Sequence, residues 1–253
     1  MYNEALQKSD NHSDAYCGLG DIFYAKGDYR QAAAQFRRAT ERAPSNAYAY
    51  CRMGDIEYAQ GRVERAKTWY KKATDTNPHN PDLLSSLGDL AMLEERDNEA
   101  LRLHNEAVRV NETHSYSLVR LAWLYLKRRE VDRAESLLQR AMVIDPETID
   151  LALARGAVLL CKGKAKEGYK VWRERLSALL PRSVNEEFEK VILTFCLGDP
   201  GAAAQLLSTI IRDRPEPPIG VLKDYLLPVR VCEGAAKPRH GQLVQTFVSA
   251  AER

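Results

Sequence analysis

Side chains able to do chemistry are numerous in this chain but badly spaced for most of it. The five histidines, His12, His79, His104, His114 and His240, are scattered, and none forms an H-E-x-x-H pair. The five cysteines, Cys17, Cys51, Cys161, Cys196 and Cys232, are odd in number and lack CxxC spacing. That argues against both a disulfide framework and a zinc site. There is no G-x-S-x-G, no phosphate-cradling G-x-x-x-x-G-K-[ST] and no EF-hand loop. Neighbouring carboxylates abound, but on solvent-facing helical positions they stay ionised and make poor general acids. No catalytic residue, metal site or cofactor is expected, and the chain reads as non-enzymatic. What remains is recognition chemistry. Asp21, Asp55 and Asp89 recur at one spacing, in company with Tyr24, Tyr48, Arg52, Tyr58, Tyr116, Arg120 and Trp123. Tyrosine, tryptophan and arginine are the usual anchors of protein interfaces. Carboxylates set between phenol rings suit a peptide that carries Lys, Arg or backbone amides. The same aspartates would equally serve to pair internally with Arg52 or a neighbouring helix, and the spacing leaves both readings open.

The elements that must hold these residues declare themselves by repetition. Leu19-Gly20-Asp21-Ile22, Tyr24-Ala25 and Gly27 reappear 34 residues on as Met53-Gly54-Asp55-Ile56, Tyr58-Ala59 and Gly61. Ala32, Phe36, Ala39 and Pro44 reappear as Ala66, Tyr70, Ala73 and Pro78. A period of this length, with small residues at fixed places, belongs to stacked helix–turn–helix units. With Ser13 as position 1, position 8 reads Gly20, Gly54, Gly88, Ala122 and Gly156, and position 20 reads Ala32, Ala66, Ala100, Ala134 and Gly168. Position 27 reads Ala39, Ala73, Ala107 and Ala141 and then fails at Arg175. Positions 8 and 20 stay small where the two helices of a unit cross. The proline at position 32 ends the second helix because it has no N–H to continue it.

This pattern resembles the tetratricopeptide repeat (TPR) family, whose large, small and proline positions are all met by Tyr16, Leu19, Gly20, Phe23, Ala32, Phe36, Ala39 and Pro44. The resemblance implies an all-α, right-handed α-solenoid of stacked repeats closed by C-terminal capping helices. Five repeats are assigned, at 13–46, 47–80, 81–114, 115–148 and 149–182. Such a unit cannot bury both faces alone, so repeats must stack. The family also implies that the first helices line a concave groove through positions 2, 5, 6, 9, 12 and 13. On that stripe the first half is acidic and tyrosine-rich, and the second half turns apolar around Trp123, Leu126, Leu153 and Leu160. Some TPR co-chaperones grip acidic tails with a two-carboxylate clamp of Lys, Asn and Arg. Here those places hold Cys17, Asp21, Arg52, Asp82 and Ser86, so that ligand is not implied.

Outside the five repeats the reading is coarser. Tyr2 and Ala5 fall at positions 24 and 27 of a preceding unit, so residues 1–12 are expected to be the second helix of a partial repeat, in a fragment of a longer solenoid, or an N-terminal cap. Residues 183–216 read as a degenerate sixth repeat, in which Phe188, Val191, Ile192 and Phe195 form one stripe and Gly198-Asp199-Pro200-Gly201 a turn. Residues 217–253 are expected to form the capping helices. The basic run around Lys162 to Arg175 is expected to be a solvated face. A net charge of +2 over 253 residues gives no field that points to nucleic acid or a membrane surface. No apolar run is long enough to span a bilayer, and unpaired cysteines favour a reducing, cytoplasmic setting. The functional expectation is a scaffold or adaptor that holds a peptide or helical segment of another protein in its groove. The alternative is a self-associating structural segment of a larger assembly.

Overall fold

Helices begin at Ser13, Ala47, Pro81 and Ser115, and each start lies 34 residues after the last. The computed structural model describes residues 13–148 and 150–212. Among these are twelve helices and no strand. In chain order they are α1 (Ser13–Ala25), α2 (Tyr29–Arg42), α3 (Ala47–Ala59), α4 (Val63–Thr76), α5 (Pro81–Leu93) and α6 (Asp97–Val110). They continue with α7 (Ser115–Lys127), α8 (Val131–Ile144), α9 (Leu151–Cys161), α10 (Ala165–Ala178), α11 (Val184–Cys196) and α12 (Pro200–Arg212). Odd-numbered helices are the first of each pair and even-numbered helices the second. Each packs chiefly on its sequence neighbours, as expected of a solenoid. Residues 1–12 and the capping helices expected after Arg212 lie outside the described residues.

The signals that start and stop these helices repeat as well. The residue before α3, α5 and α7 is Asn46, Asn80 or His114, and its side chain accepts a hydrogen bond from the backbone N–H three residues on. That satisfies one of the N–H groups a helix start leaves unpaired. Ser183 and Glu186 form a reciprocal capping box before α11. The turns inside the first two pairs place Gly27 and Gly61 at φ 75° and 76°, the left-handed region that glycine enters without steric cost. The turn before α12 is shorter than Gly198 to Gly201, because Pro200 and Gly201 already belong to the helix. Proline at a first helical position loses only an N–H that would have been unpaired anyway.

The contact between paired helices explains position 8 more closely than general crowding does. A Cβ on Gly20, Gly54, Gly88 or Gly156 would lie under 3 Å from the ring of Phe36, Tyr70, His104 or Trp172, the residue at position 24 of the same repeat. In repeat 4 position 24 is the aliphatic Leu138, and there position 8 is Ala122. Glycine is needed where a ring packs closely against the partner backbone. The tightest case is Gly156, whose Cβ would come within 1.9 Å of Trp172 Nε1. Gly156→Ala is expected to destabilise the fold by about 1–3 kcal/mol through overpacking. Gly156→Ala with Trp172→Leu should recover part of that loss in chemical denaturation.

Arg175 and the apolar half of the predicted groove depart from their expected places. Arg175 stands where alanine is usual at position 27, and it is not part of a solvated face. Its Nε and Nη2 donate to the two carboxylate oxygens of Glu189 in α11, at 3.0 and 2.8 Å, and its Nη1 donates to Glu147 at 2.8 Å. Glu189 is 0 % exposed, so the junction between repeats 5 and 6 closes on a buried ion pair. The apolar half of the predicted groove is likewise core. Trp123, Leu126, Leu153 and Leu160 are all buried, in one cluster with Phe188, Val191 and Phe195 of α11.

Candidate binding cleft

Two junctions carry the same three-residue clasp. Between repeats 1 and 2, Asp21 accepts from Tyr48 Oη at 2.8 Å and from Arg52 Nε at 2.9 Å. Between repeats 3 and 4, Asp89 accepts from Tyr116 Oη at 2.7 Å and from Arg120 Nε at 2.7 Å. The carboxylate comes from position 9 of one repeat, and the phenol and guanidinium from positions 2 and 6 of the next. Residues four apart on a helix lie one turn above each other on the same face. One odd-numbered helix therefore delivers both donors to the odd-numbered helix before it. Arg52 also donates from Nη1 to Asp55 at 2.8 Å and stacks 4.2 Å from the Tyr24 ring, a cation–π contact.

The junction between repeats 2 and 3 lacks this clasp. Positions 2 and 6 of repeat 3 are Asp82 and Ser86. Ser86 Oγ donates to Asp55 Oδ1 at 2.8 Å, and Tyr70 Oη reaches the same oxygen at 2.9 Å. A cleft of about 250 Å³ opens there. Its walls are Tyr24, Tyr48, Arg52, Asp55, Tyr58, Tyr70, Asp82, Ser85, Ser86, Asp89, His114, Tyr116 and Asn185. Apart from Tyr70 and the cap residue His114, these come from the odd-numbered helices α1, α3, α5, α7 and α11, so the array curves with those helices on the inside.

Asp21, Asp55 and Asp89 thus all have partners within the chain, as one of the two readings expected. Of the predicted site residues, Tyr24, Tyr48, Arg52, Asp55, Tyr58, Asp89 and Tyr116 meet in one cleft. Asp21 lies behind Arg52 and Tyr48. Trp123 must be withdrawn as a partner contact, because its indole is fully buried in the core. Arg120, 1 % exposed, is likewise an internal strut that holds Asp89 and approaches Asp150 to 4.0 Å. Asp82 and Ser86 also line the cleft and were not expected there, although they stand on the same helical stripe as Tyr48 and Arg52. His114 and Asn185 carried no local signal, because one is a helix cap and the other comes from a remote repeat.

The electrostatics of the cleft are uneven. Burial pushes the Asp89 carboxyl above its usual range, while Arg120 and Tyr116 pull it back. Burial also raises the phenols of Tyr48 and Tyr70, so both remain protonated donors. Below the cleft, His104 is fully buried, 3.4 Å from Ser117 Oγ and 3.6 Å from Asp89 Oδ1. Burial, reinforced by Arg120 and His114, holds its imidazole well below the usual range. It is therefore neutral, and the approach to Asp89 is not an ion pair. Below pH 6.5 the unfolded chain takes up a proton that folded His104 refuses. Its contribution to stability is present above that pH and declines as pH falls toward the lower folded value. His104→Phe, which restores the ring found at Phe36, should flatten the stability loss between pH 7 and 5. Urea titrations at each pH read this out, and parallel curves for both proteins would assign the slope to other groups.

Among the described residues, no group of three or more His, Cys, Asp or Glu side chains could hold a metal ion. Nor is any helix long and apolar enough to cross a membrane. Comparison with known proteins places this geometry in a family. Two models of the tetratricopeptide repeat match, one over residues 17–81 and one over 117–149. No curated protein matches the chain in sequence. Among solved structures, PilF of Pseudomonas aeruginosa is similar at 20 % identity and a TM-score of 0.55, over 80 % of this chain and 92 % of its own. PilW, described as a widely conserved type IV pilus biogenesis factor, is similar at 18 % identity and a TM-score of 0.56, over 79 % of this chain and 93 % of its own. At those identities the likeness concerns the fold, and the two repeat matches add the family signature. The chain is a tetratricopeptide-repeat protein, an all-α helical solenoid of a family that scaffolds protein–protein interactions.

Proposed function

We propose that this chain is a non-enzymatic adaptor that holds an extended or helical segment of a partner protein along the inner face of its odd-numbered helices. The observation that supports this most is the cleft itself. It gathers five tyrosines with polar and charged groups on one concave surface, the composition found at protein anchoring sites. The internal clasps keep that surface rigid before a partner arrives, which lowers the ordering cost of binding. The thiols fit a reducing compartment. Cys17, Cys51 and Cys196 carry free thiols; burial and Asp21 push Cys17 up to about 11, and burial raises Cys51 far above its usual value. Such thiols are inert rather than redox-active.

A photo-crosslinking amino acid at Met92, half-buried on the inner stripe, tests the reading against one at Val143, which is 84 % exposed on an even-numbered helix. A partner trapped from Met92 and not from Val143 is the expected result. Trapping from Val143 alone would move the binding surface off the inner face. Val143 and Leu180, 77 % exposed, also favour a second reading, self-association through the outer surface. Light scattering over a concentration series should show a growing mass in that case and a constant monomer mass in the first.

A further inference from the structure

The repeats act as internal comparison structures for one another. At the 1–2 and 3–4 junctions a guanidinium fills the space in front of the position-9 carboxylate, and the following helix supplies it. At the 2–3 junction the equivalent space belongs to Ser86, which reaches Asp55 but carries no charge. Beside it, Asp82 replaces the phenol that Tyr48 and Tyr116 supply elsewhere. The slot that arginine occupies twice is therefore open once, and the cleft lies at that place.

The charges point the same way. Asp89 is answered by Arg120, and Asp55 shares Arg52 with Asp21. Asp82, whose side chain is 52 % exposed, faces the His114 ring at 3.3 Å. Three carboxylates, Asp55, Asp82 and Asp89, line the cleft beside one guanidinium, that of Arg52, and the His114 ring, so acidic groups outnumber basic ones on its walls.

We propose that the cleft between repeats 2 and 3 is an arginine slot, which takes the guanidinium of a partner's arginine between Asp82 and the Asp55–Ser86 pair, against the rings of Tyr48 and Tyr116. This rests on the inner-face reading above and adds the anchor residue of the partner. Arginine fits better than lysine because its planar fork donates to two acceptors at once and stacks on aromatic faces. The protein itself uses both modes, with Arg52 against Tyr24 and Arg120 5.8 Å from the Tyr116 ring.

The probes are three synthetic peptides, acetyl-Gly-Gly-X-Gly-Gly-amide, where X is arginine, lysine or citrulline. Citrulline keeps the shape of arginine and removes its charge. In two-dimensional amide NMR titrations, the arginine peptide should shift Ser85, Ser86 and Tyr116 in a saturable way, and citrulline should bind at least tenfold more weakly. Ser86→Arg, which recreates the pattern of repeats 2 and 4, should fill the slot from within and abolish arginine binding. Asp82→Asn, at a half-exposed site where folding is expected to survive, should weaken it severalfold. Equal binding of arginine and citrulline would overturn the proposal. So would shifts that map away from the cleft, or undiminished binding by folded Ser86→Arg. If the arginine probe fails while Met92 still traps a partner, only the slot is lost. If Met92 traps nothing either, the inner-face reading falls with it.

Discussion

Arg120→Leu is expected to lose about 3–5 kcal/mol of stability, the usual cost of leaving one member of a buried ion pair behind. Asp89, itself buried, would keep Tyr116 as a donor but lose its counter-charge, and Asp150 would lose the cation 4.0 Å away. Arg52→Leu should cost less although the clasp is chemically the same. Its side chain is 19 % exposed against 2 % for Arg120, so water reaches the abandoned carboxylates and screens them. Arg120→Leu combined with Asp89→Leu should regain much of the loss, because an apolar replacement of a whole buried pair is often neutral. Urea midpoints of the three variants decide the matter. Equal losses for Arg52 and Arg120 would show that burial does not set the scale of the clasp.

Arg175→Leu is expected to be comparably damaging, at about 3–5 kcal/mol, but its damage should be local. It strands Glu189, which has no exposure to solvent, at the junction of repeats 5 and 6. In a solenoid each unit is stabilised mainly by its immediate neighbours. Helices α11 and α12 should therefore detach while α1 to α6 stay folded. Hydrogen exchange should show protection lost in residues 184–212 and retained in residues 13–110. Uniform loss along the chain would mean that the whole array unfolds as one unit. Arg175→Leu with Glu189→Leu should restore protection at the junction.

The helix pairs were legible in the sequence because their determinants are local and repeated. A glycine beside a ring, an alanine at a crossing and a proline after the last turn each act within one unit. The cleft residues were half legible for the same reason. Asp21, Asp55 and Asp89 could be placed on one stripe, but whether they face a ligand or each other's neighbours depends on helices 27 to 31 residues away. Trp123 misled because its register matches those aspartates, while its burial is decided by packing against other repeats. Arg175 read as a solvated charge because Glu189, its partner, lies beyond the irregular link between repeats 5 and 6. His114 looked like a stray titratable group, and its role as a helix cap follows only from its alignment with Asn46 and Asn80.

The glycine–ring contacts bear on how such a chain can change over generations. A ring at position 24 tolerates only glycine at position 8, and among the five repeats of common phase the one with leucine at 24 has alanine at 8. A substitution at either place alone brings a clash or a void. The two positions, 16 residues apart in the chain, are therefore inherited as one character. Lineages that exchange the ring for an aliphatic side chain should be the ones in which the glycine drifts to alanine, repeat by repeat and independently of the neighbouring units.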